Sequence, residues 1–125
     1  MRQQYHFRST ENGVLIWDVH RLVELAKTLP TSEVSLSDIR ELDETFWFEL
    51  NDDQPTCRRI AQHAKLINDT DLSYPIIMSS DGRVMDGMHR VCKALIEGRD
   101  TILAVRFDMD PKHDYVDVSP DDLPY

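Results

Sequence analysis

Residues 75–98 carry a succession of patterns that only a few small folds can accommodate. Two short apolar runs, residues 75–79 and 83–86, flank a turn in which Asp81 and Gly82 both tolerate the positive φ of a tight hairpin. After Gly87, apolar residues recur at helical spacing, and Gly98 is placed to end the helix. The apolar residues of this helix are Val91, Cys92, Leu95 and Ile96. The pattern predicts a hairpin whose second strand passes into a helix at Gly87.

Two further helices are predicted ahead of this hairpin. Asp18 can cap the first helix, which ends before Pro30, and Pro55 suits the first position of the second helix. Each helix has apolar residues on one face and polar residues on the other. The apolar residues are Leu22, Leu25, Ala26 and Leu29 in the first helix, and Ile60, Ala61, Ala64 and Ile67 in the second.

Two more strands complete the expected fold. Residues 34–39 begin with apolar-polar alternation, which predicts a short strand with one buried face, and residues 101–107 form a β-rich run suited to a buried strand. Residues 40–53 mix acidic and aromatic side chains and are expected to be irregular or partly helical. A chain of 125 residues, 41% of them hydrophobic, can build one core. We therefore predict an α+β (mixed α/β) fold with one small mixed sheet packed against helices.

The end of the chain differs in composition from the rest. Residues 108–125 contain six aspartates and three prolines, so they are expected to be disordered or to cover the domain without regular structure. The predicted domain boundaries are 1–107 for the folded domain, which includes the N-terminal helix, and 108–125 for an acidic tail.

Charge and composition restrict the class of function. The formal charge of −9 disfavours nucleic acid as a partner unless the basic groups gather on one face. The sequence has neither an apolar run of membrane-spanning length nor the apolar start of a signal peptide, so a cytoplasmic protein without membrane contact is expected. The two cysteines, Cys57 and Cys92, have the spacing of neither a metal site nor a disulfide framework.

The turn at residues 86–90, Asp-Gly-Met-His-Arg, is the main candidate for a functional site. A helix that begins after Gly87 leaves unpaired backbone N–H groups, which attract anions. Arg90 adds a permanently charged guanidinium group that can pair with phosphate oxygens, and His89 can donate a hydrogen bond or transfer a proton. The candidate phosphate-binding residues are Asp86, Gly87, Met88, His89 and Arg90. The alternative interpretation is purely structural: Asp86 caps the helix, Gly87 permits the turn, His89 packs locally and Arg90 is solvated.

The residues from this hairpin to residue 107 resemble the ParB/sulfiredoxin superfamily. Members share a small mixed α/β fold and a phosphate-holding Gly-x-x-Arg turn, matched here by Gly87 and Arg90. ParB turns tend to carry two adjacent arginines and bind a cytidine nucleotide, whereas His89 occupies the first of those places. Sulfiredoxin requires a cysteine where this chain has Met88, and a thioether cannot replace that thiol. The turn of the free serine kinases, Asp-Gly-His-His-Arg, differs from this one only at Met88.

The resemblance implies phosphoryl transfer from ATP or ADP, with Mg²⁺, to a small-molecule acceptor that bears a hydroxyl group. In such a kinase Arg90 and His89 would contact phosphate, and Asp86 would hold the turn or the water shell of Mg²⁺. Glu41, or secondly Asp43, follows the first predicted strand and is the candidate general base, although a solvated acidic face is the preferred interpretation of both residues. His63 could face the site, but a position at the surface or in a local hydrogen bond is preferred. Trp47 could stack on a nucleotide base, but it is expected to fill the core.

Three functions remain open at this point. The first is a nucleotide-dependent phosphotransferase that uses Glu41 or Asp43 and His89 as catalytic residues. The second is a non-enzymatic domain that senses a nucleotide or binds a partner. The third, a ParB-like nuclease, is disfavoured because the net charge repels polyanions and the aspartates lack a distinctive ligand spacing.

Overall fold

Strands and helices alternate along the part of the chain described by the structure, a computed structural model that covers residues 2–48 and 54–125. The strands are β1 (Tyr5–Thr10), β2 (Gly13–Asp18), β3 (Ser32–Ser35), β4 (Ile76–Met78), β5 (Val84–Asp86), β6 (Thr101–Arg106) and β7 (Tyr115–Val116). The helices are α1 (Val19–Ala26), α2 (Cys57–Asp69) and α3 (Met88–Ile96). Short 3₁₀ turns at Leu36–Asp38, Arg40–Asp43 and Phe46–Phe48 connect β3 to the region before α2. The predicted mixed α+β class is confirmed.

A four-stranded mixed sheet in the order β3-β6-β4-β5 forms the centre of the domain. Strands β4 and β6 are parallel, and the other two pairs are antiparallel. The predicted hairpin is present as β4 and β5, with Gly82 at a φ of +85° in its turn. The chain enters α3 directly from β5, which is one of the two outer strands of this sheet.

Both faces of the central sheet are covered, because alternate residues of each strand belong to different apolar clusters. Ile76 and Met78 pack with Val91 and Ala94 of α3 on one face. Between them, Ile77 packs with Leu22 and Ala26 of α1 on the opposite face. Burial on both faces explains why these strands contain few polar residues.

The N-terminal residues form a second sheet, which the sequence analysis did not anticipate. Strands β1 and β2 pair as an antiparallel hairpin, and the two-residue β7 adds to β2. The signal for this hairpin lies in Asn12 and Gly13 at the turn and in the apolar residues that follow them. Because β7 and the buried Leu123 come from the acidic tail, the expectation that the tail lacks regular structure is wrong.

The apolar faces of the helices are narrower than the spacing indicated. Asp18 caps α1 as predicted, and its side chain accepts a hydrogen bond from the His20 N–H. Leu22 and Ala26 are buried, but Leu25 is exposed. In α3 the buried residues are Met88, Val91 and Ala94, whereas Leu95 is 54% exposed and Ile96 is also at the surface. The assignment of Leu95 and Ile96 to the buried face was therefore wrong.

Two predicted element boundaries also need correction. The first central strand ends at Ser35, so residues 36–38 form a 3₁₀ turn rather than the continuation of the strand expected over 34–39. Pro55 precedes the helix, because Thr56 is the N-cap of α2 and accepts a hydrogen bond from the Arg59 N–H. Within the described residues, α2 buries no side chain fully, and Ile60, Ala61 and Ala64 are exposed. None of the helices in this part of the chain could cross a membrane.

Candidate functional site

The turn between β5 and α3 has the geometry that the sequence predicts. Gly87 is the N-cap residue of α3 and has a φ of +107°, a region that favours glycine. A Cβ atom at Gly87 would lie 2.7 Å from Ile76 Cγ2 and 2.8 Å from Arg90 Nη2. The Val91 N–H donates to the Gly87 carbonyl oxygen at 3.0 Å, so the N–H groups of residues 88–90 precede the first intrahelical bond. The turn therefore presents backbone donors to an approaching anion.

Arg90 is held across this turn by two contacts. Its Nη2 atom lies 3.1 Å from Asp86 Oδ2 and donates to the Pro75 carbonyl oxygen at 3.3 Å. Its Nε atom is buried and has no hydrogen-bond partner. Asp86 and Arg90 are thus oriented by each other.

Met88 contributes its backbone rather than its side chain to the turn. The side chain is buried with Ile76, Val84 and Val91 in the cluster beneath α3. Only the Met88 N–H can therefore reach an anion at the helix start.

His89 is part of a compact ring cluster with His63 of α2 and Trp47. His63 Nδ1 and His89 Nε2 lie 2.9 Å apart and share a hydrogen bond. The Trp47 ring stacks on both imidazoles, with centroid distances of 4.2 Å to His63 and 4.6 Å to His89. Burial, followed by His63, Arg2 and Arg90, lowers the pKa of His89 to about 4. His89 is therefore neutral at pH 7, and Nδ1 is its ring nitrogen outside this pair.

The two acidic candidates have different environments. Glu41 is only 2% exposed, and its Oε2 accepts a 2.5 Å hydrogen bond from the Val84 N–H and lies 3.5 Å from Arg83 Nε. Its Oε1 is buried without a hydrogen-bond partner. Asp43 is exposed and lies outside the group of residues that surrounds the turn. The structure thus brings Glu41, but not Asp43, to the turn.

A cleft of about 1020 Å³ joins these groups. It lies between β1, the 3₁₀ turns of residues 40–48 and the turn from β5 to α3. Six arginines and four carboxylates line it, although acidic residues outnumber basic ones in the whole chain by 23 to 14. The arginines are Arg2, Arg8, Arg40, Arg59, Arg83 and Arg90. Positive charge is therefore gathered around the turn in an otherwise acidic protein.

Four buried side-chain atoms without a hydrogen-bond partner belong to residues that line this cleft. They are His6 Nε2, Arg8 Nη2, Glu41 Oε1 and Arg90 Nε. Buried polar groups are nearly always satisfied in folded proteins, so such a concentration points to a ligand. A smaller concavity of about 480 Å³ lies beside β3 and the hairpin turn, and it includes none of these four residues.

The sequence analysis missed His6 and Arg8 because it did not recognise β1. Both residues occupy alternate positions of that strand and therefore share one face. His63 shares a hydrogen bond with His89 of the turn, which is the less favoured of its two predicted positions. Trp47 packs partly against the core as expected, and it also lines the cleft.

Comparison of the chain with protein-family models, curated proteins and solved structures found no match. The function is therefore argued from the geometry of the cleft.

Proposed function

We propose that this protein binds a nucleotide in the cleft, with its phosphates at the start of α3. The observation that carries the proposal is the position of the Gly87 turn within an arginine-lined cleft of an acidic chain. The backbone N–H groups of residues 88–90 begin α3 there, and the Arg90 guanidinium is held across the same turn by Asp86. Such donors bind phosphate oxygens through charge-assisted hydrogen bonds.

The electrostatics favour a small anion over a polymer. A mononucleotide can enter the cleft and contact several arginines at once, whereas a nucleic acid must also approach the acidic surface around it. A volume of about 1020 Å³ is enough for a ligand of nucleotide size. A cytoplasmic location, where ATP and ADP are available, accords with this proposal.

Phosphoryl transfer is the activity that Glu41 supports best. Its Oε2 is occupied by the Val84 N–H, while Oε1 has no partner and could accept the proton of an acceptor hydroxyl. Mg²⁺ would arrive with the phosphates, and the Asp86 carboxylate at the turn would hold its water shell.

The test of binding is calorimetry with ATP, ADP and CTP on the parent protein and three variants. Arg90→Ala should weaken binding about 10- to 100-fold, because charge-assisted hydrogen bonds contribute roughly 1.5–3 kcal/mol each. Asp86→Asn keeps an acceptor for Arg90 but removes a negative charge, so binding without Mg²⁺ should be retained or improved. Arg99→Ala removes an exposed arginine outside the cleft and is the control. Absence of nucleotide binding by the parent protein would reject the proposal.

A second experiment separates the enzyme from the nucleotide sensor. Glu41→Gln retains an acceptor for the Val84 N–H, so the fold and nucleotide affinity should persist. If Glu41 is the general base, turnover with a panel of hydroxyl-bearing metabolites should fall roughly 100- to 10,000-fold. Nucleotide binding that depends on Arg90, with no turnover by the parent protein, would instead support a non-enzymatic sensing domain.

A further inference from the structure

The N-terminal hairpin contributes two polar side chains, His6 and Arg8, to the cleft. His6 and Arg8 lie on one face of β1 and both contact the Trp17 ring. The His6 and Trp17 ring centroids are 5.7 Å apart, and Arg8 Cζ lies 4.7 Å from the Trp17 centroid. Trp17 is itself buried and donates from Nε1 to the Pro111 carbonyl oxygen at 2.8 Å. Both side chains are therefore held in place by a rigid aromatic support.

Each of these side chains has one polar atom without a hydrogen-bond partner. His6 is 8% exposed, and its Nε2 has no hydrogen-bond partner. Arg8 donates from Nη1 to Asp110 Oδ2 at 3.0 Å, while its Nη2 has none. An unpaired donor and an imidazole that can serve as donor or acceptor are thus present together on one face of β1.

Both signs of charge lie near His6, because Arg8 and Arg83 are accompanied by Asp110 and Asp81. A neutral hydroxyl fits such a mixed site, because it can accept from Arg8 and exchange a hydrogen bond with His6 in either direction. This environment differs from the turn at Gly87, where helix-start amides add to the arginine.

We propose that His6 and Arg8 form a second subsite that binds the hydroxyl groups of a sugar or polyol carried by the phosphorylated ligand. The proposal rests on the proposed function, because the phosphate of the same ligand would lie at the Gly87 turn. The recognised class is therefore a sugar phosphate, either the ribose phosphate of a nucleotide or a free phosphorylated sugar.

The test compares the affinities of ribose 5-phosphate and inorganic phosphate by calorimetry. The parent protein should bind ribose 5-phosphate at least about 10-fold more tightly. His6→Phe keeps a ring against Trp17 and should reduce this preference about 3- to 10-fold without changing phosphate affinity. Arg8→Lys can still pair with Asp110 and should act likewise, which provides a second variant should His6→Phe fail to fold. His113→Phe alters another histidine beside Trp17, outside the cleft, and should have no effect.

The outcomes distinguish this subsite from the proposed nucleotide site. Equal affinities for phosphate and ribose 5-phosphate, with Arg90→Ala weakening both, would overturn the subsite and leave the phosphate turn intact. Binding of neither compound, nor of any nucleotide, would reject both. Weaker binding of 2′,3′-dideoxy-ATP than of ATP would identify the hydroxyls as those of a nucleotide. If ATP and 2′,3′-dideoxy-ATP bind equally and ribose 5-phosphate still binds more tightly than inorganic phosphate, the ligand is a free sugar phosphate.

Discussion

His89 at the start of α3 and His63 in α2 share a hydrogen bond of 2.9 Å between Nε2 and Nδ1, beneath the ring of Trp47. This contact links two helices that otherwise meet at a largely exposed surface of α2. It also determines which nitrogen of His89 can face the cleft. His89 is therefore a structural element as well as a potential ligand.

The coupling between these histidines is measurable. His89→Phe keeps a ring beneath Trp47 but removes the shared hydrogen bond, so the free energy of unfolding should fall by about 0.5–1.5 kcal/mol. His63→Phe should act similarly, and the double variant should cost less than the sum of the two. Urea unfolding of the four proteins provides the measurement. Strictly additive losses would show that the two rings do not interact.

Stability should decrease as the pH falls below about 6.5. Burial, followed by Arg8 and Arg83, lowers the pKa of His6 from 6.5 to about 4, so the unfolded chain takes up its proton first. The stabilisation is complete above pH 6.5 and is lost as the pH falls towards 4. Between pH 7.5 and pH 5, His6 alone should account for a loss of about 2 kcal/mol. The free energy of unfolding, measured by urea titration at pH 7.5 and pH 5, should change less between the two pH values in His6→Phe than in the parent protein. An unchanged difference would contradict this assignment.

Gly87 should tolerate no side chain, whereas Gly98 should tolerate one with only moderate strain. Gly87→Ala introduces a Cβ against the branched side chain of Ile76 at a φ of +107°, and we expect a loss of about 2–5 kcal/mol together with loss of nucleotide binding. Gly98 has a φ of +74° but no atom within 4 Å of its added Cβ, so Gly98→Ala should cost about 1–2 kcal/mol and leave binding unchanged. Thermal melts and calorimetry on both variants would test the contrast, which similar losses would refute.

The loss of stability on replacing single leucines by alanine should distinguish the buried from the exposed faces of α1 and α3. Leu22 is fully buried and Leu25 is 42% exposed, so Leu22→Ala should cost about 2–5 kcal/mol and Leu25→Ala about 1 kcal/mol or less. Leu95→Ala in α3 should resemble Leu25→Ala, in contrast to the interpretation from helical spacing. Chemical unfolding of the three variants is sufficient, and a large loss at Leu95 would place it in the core after all.

The sequence by itself determined the elements whose signals are local. Gly82 permits the β4–β5 turn with its φ of +85°, Gly87 marks the passage into α3 for the same reason, and Asp18 caps α1 with its own side chain. These features depend on residues within a few positions of one another. They were predicted correctly, and so was the α+β class that follows from their order. The positive φ expected of Asp81 was wrong, because Asp81 instead supports the turn with its carboxylate, which accepts from the Arg83 N–H.

Only the tertiary structure decided which surfaces meet. Helical spacing indicated that Leu95 and Val91 lie on one apolar face, but only Met88, Val91 and Ala94 of α3 are buried in the cluster against the central sheet. Glu41 differs from Asp43 because its carboxylate reaches the Val84 N–H, 43 residues along the chain, and His6 enters the cleft through strand pairing with Trp17. Such contacts join residues far apart in sequence, and their free energy depends on burial and geometry that no local pattern encodes.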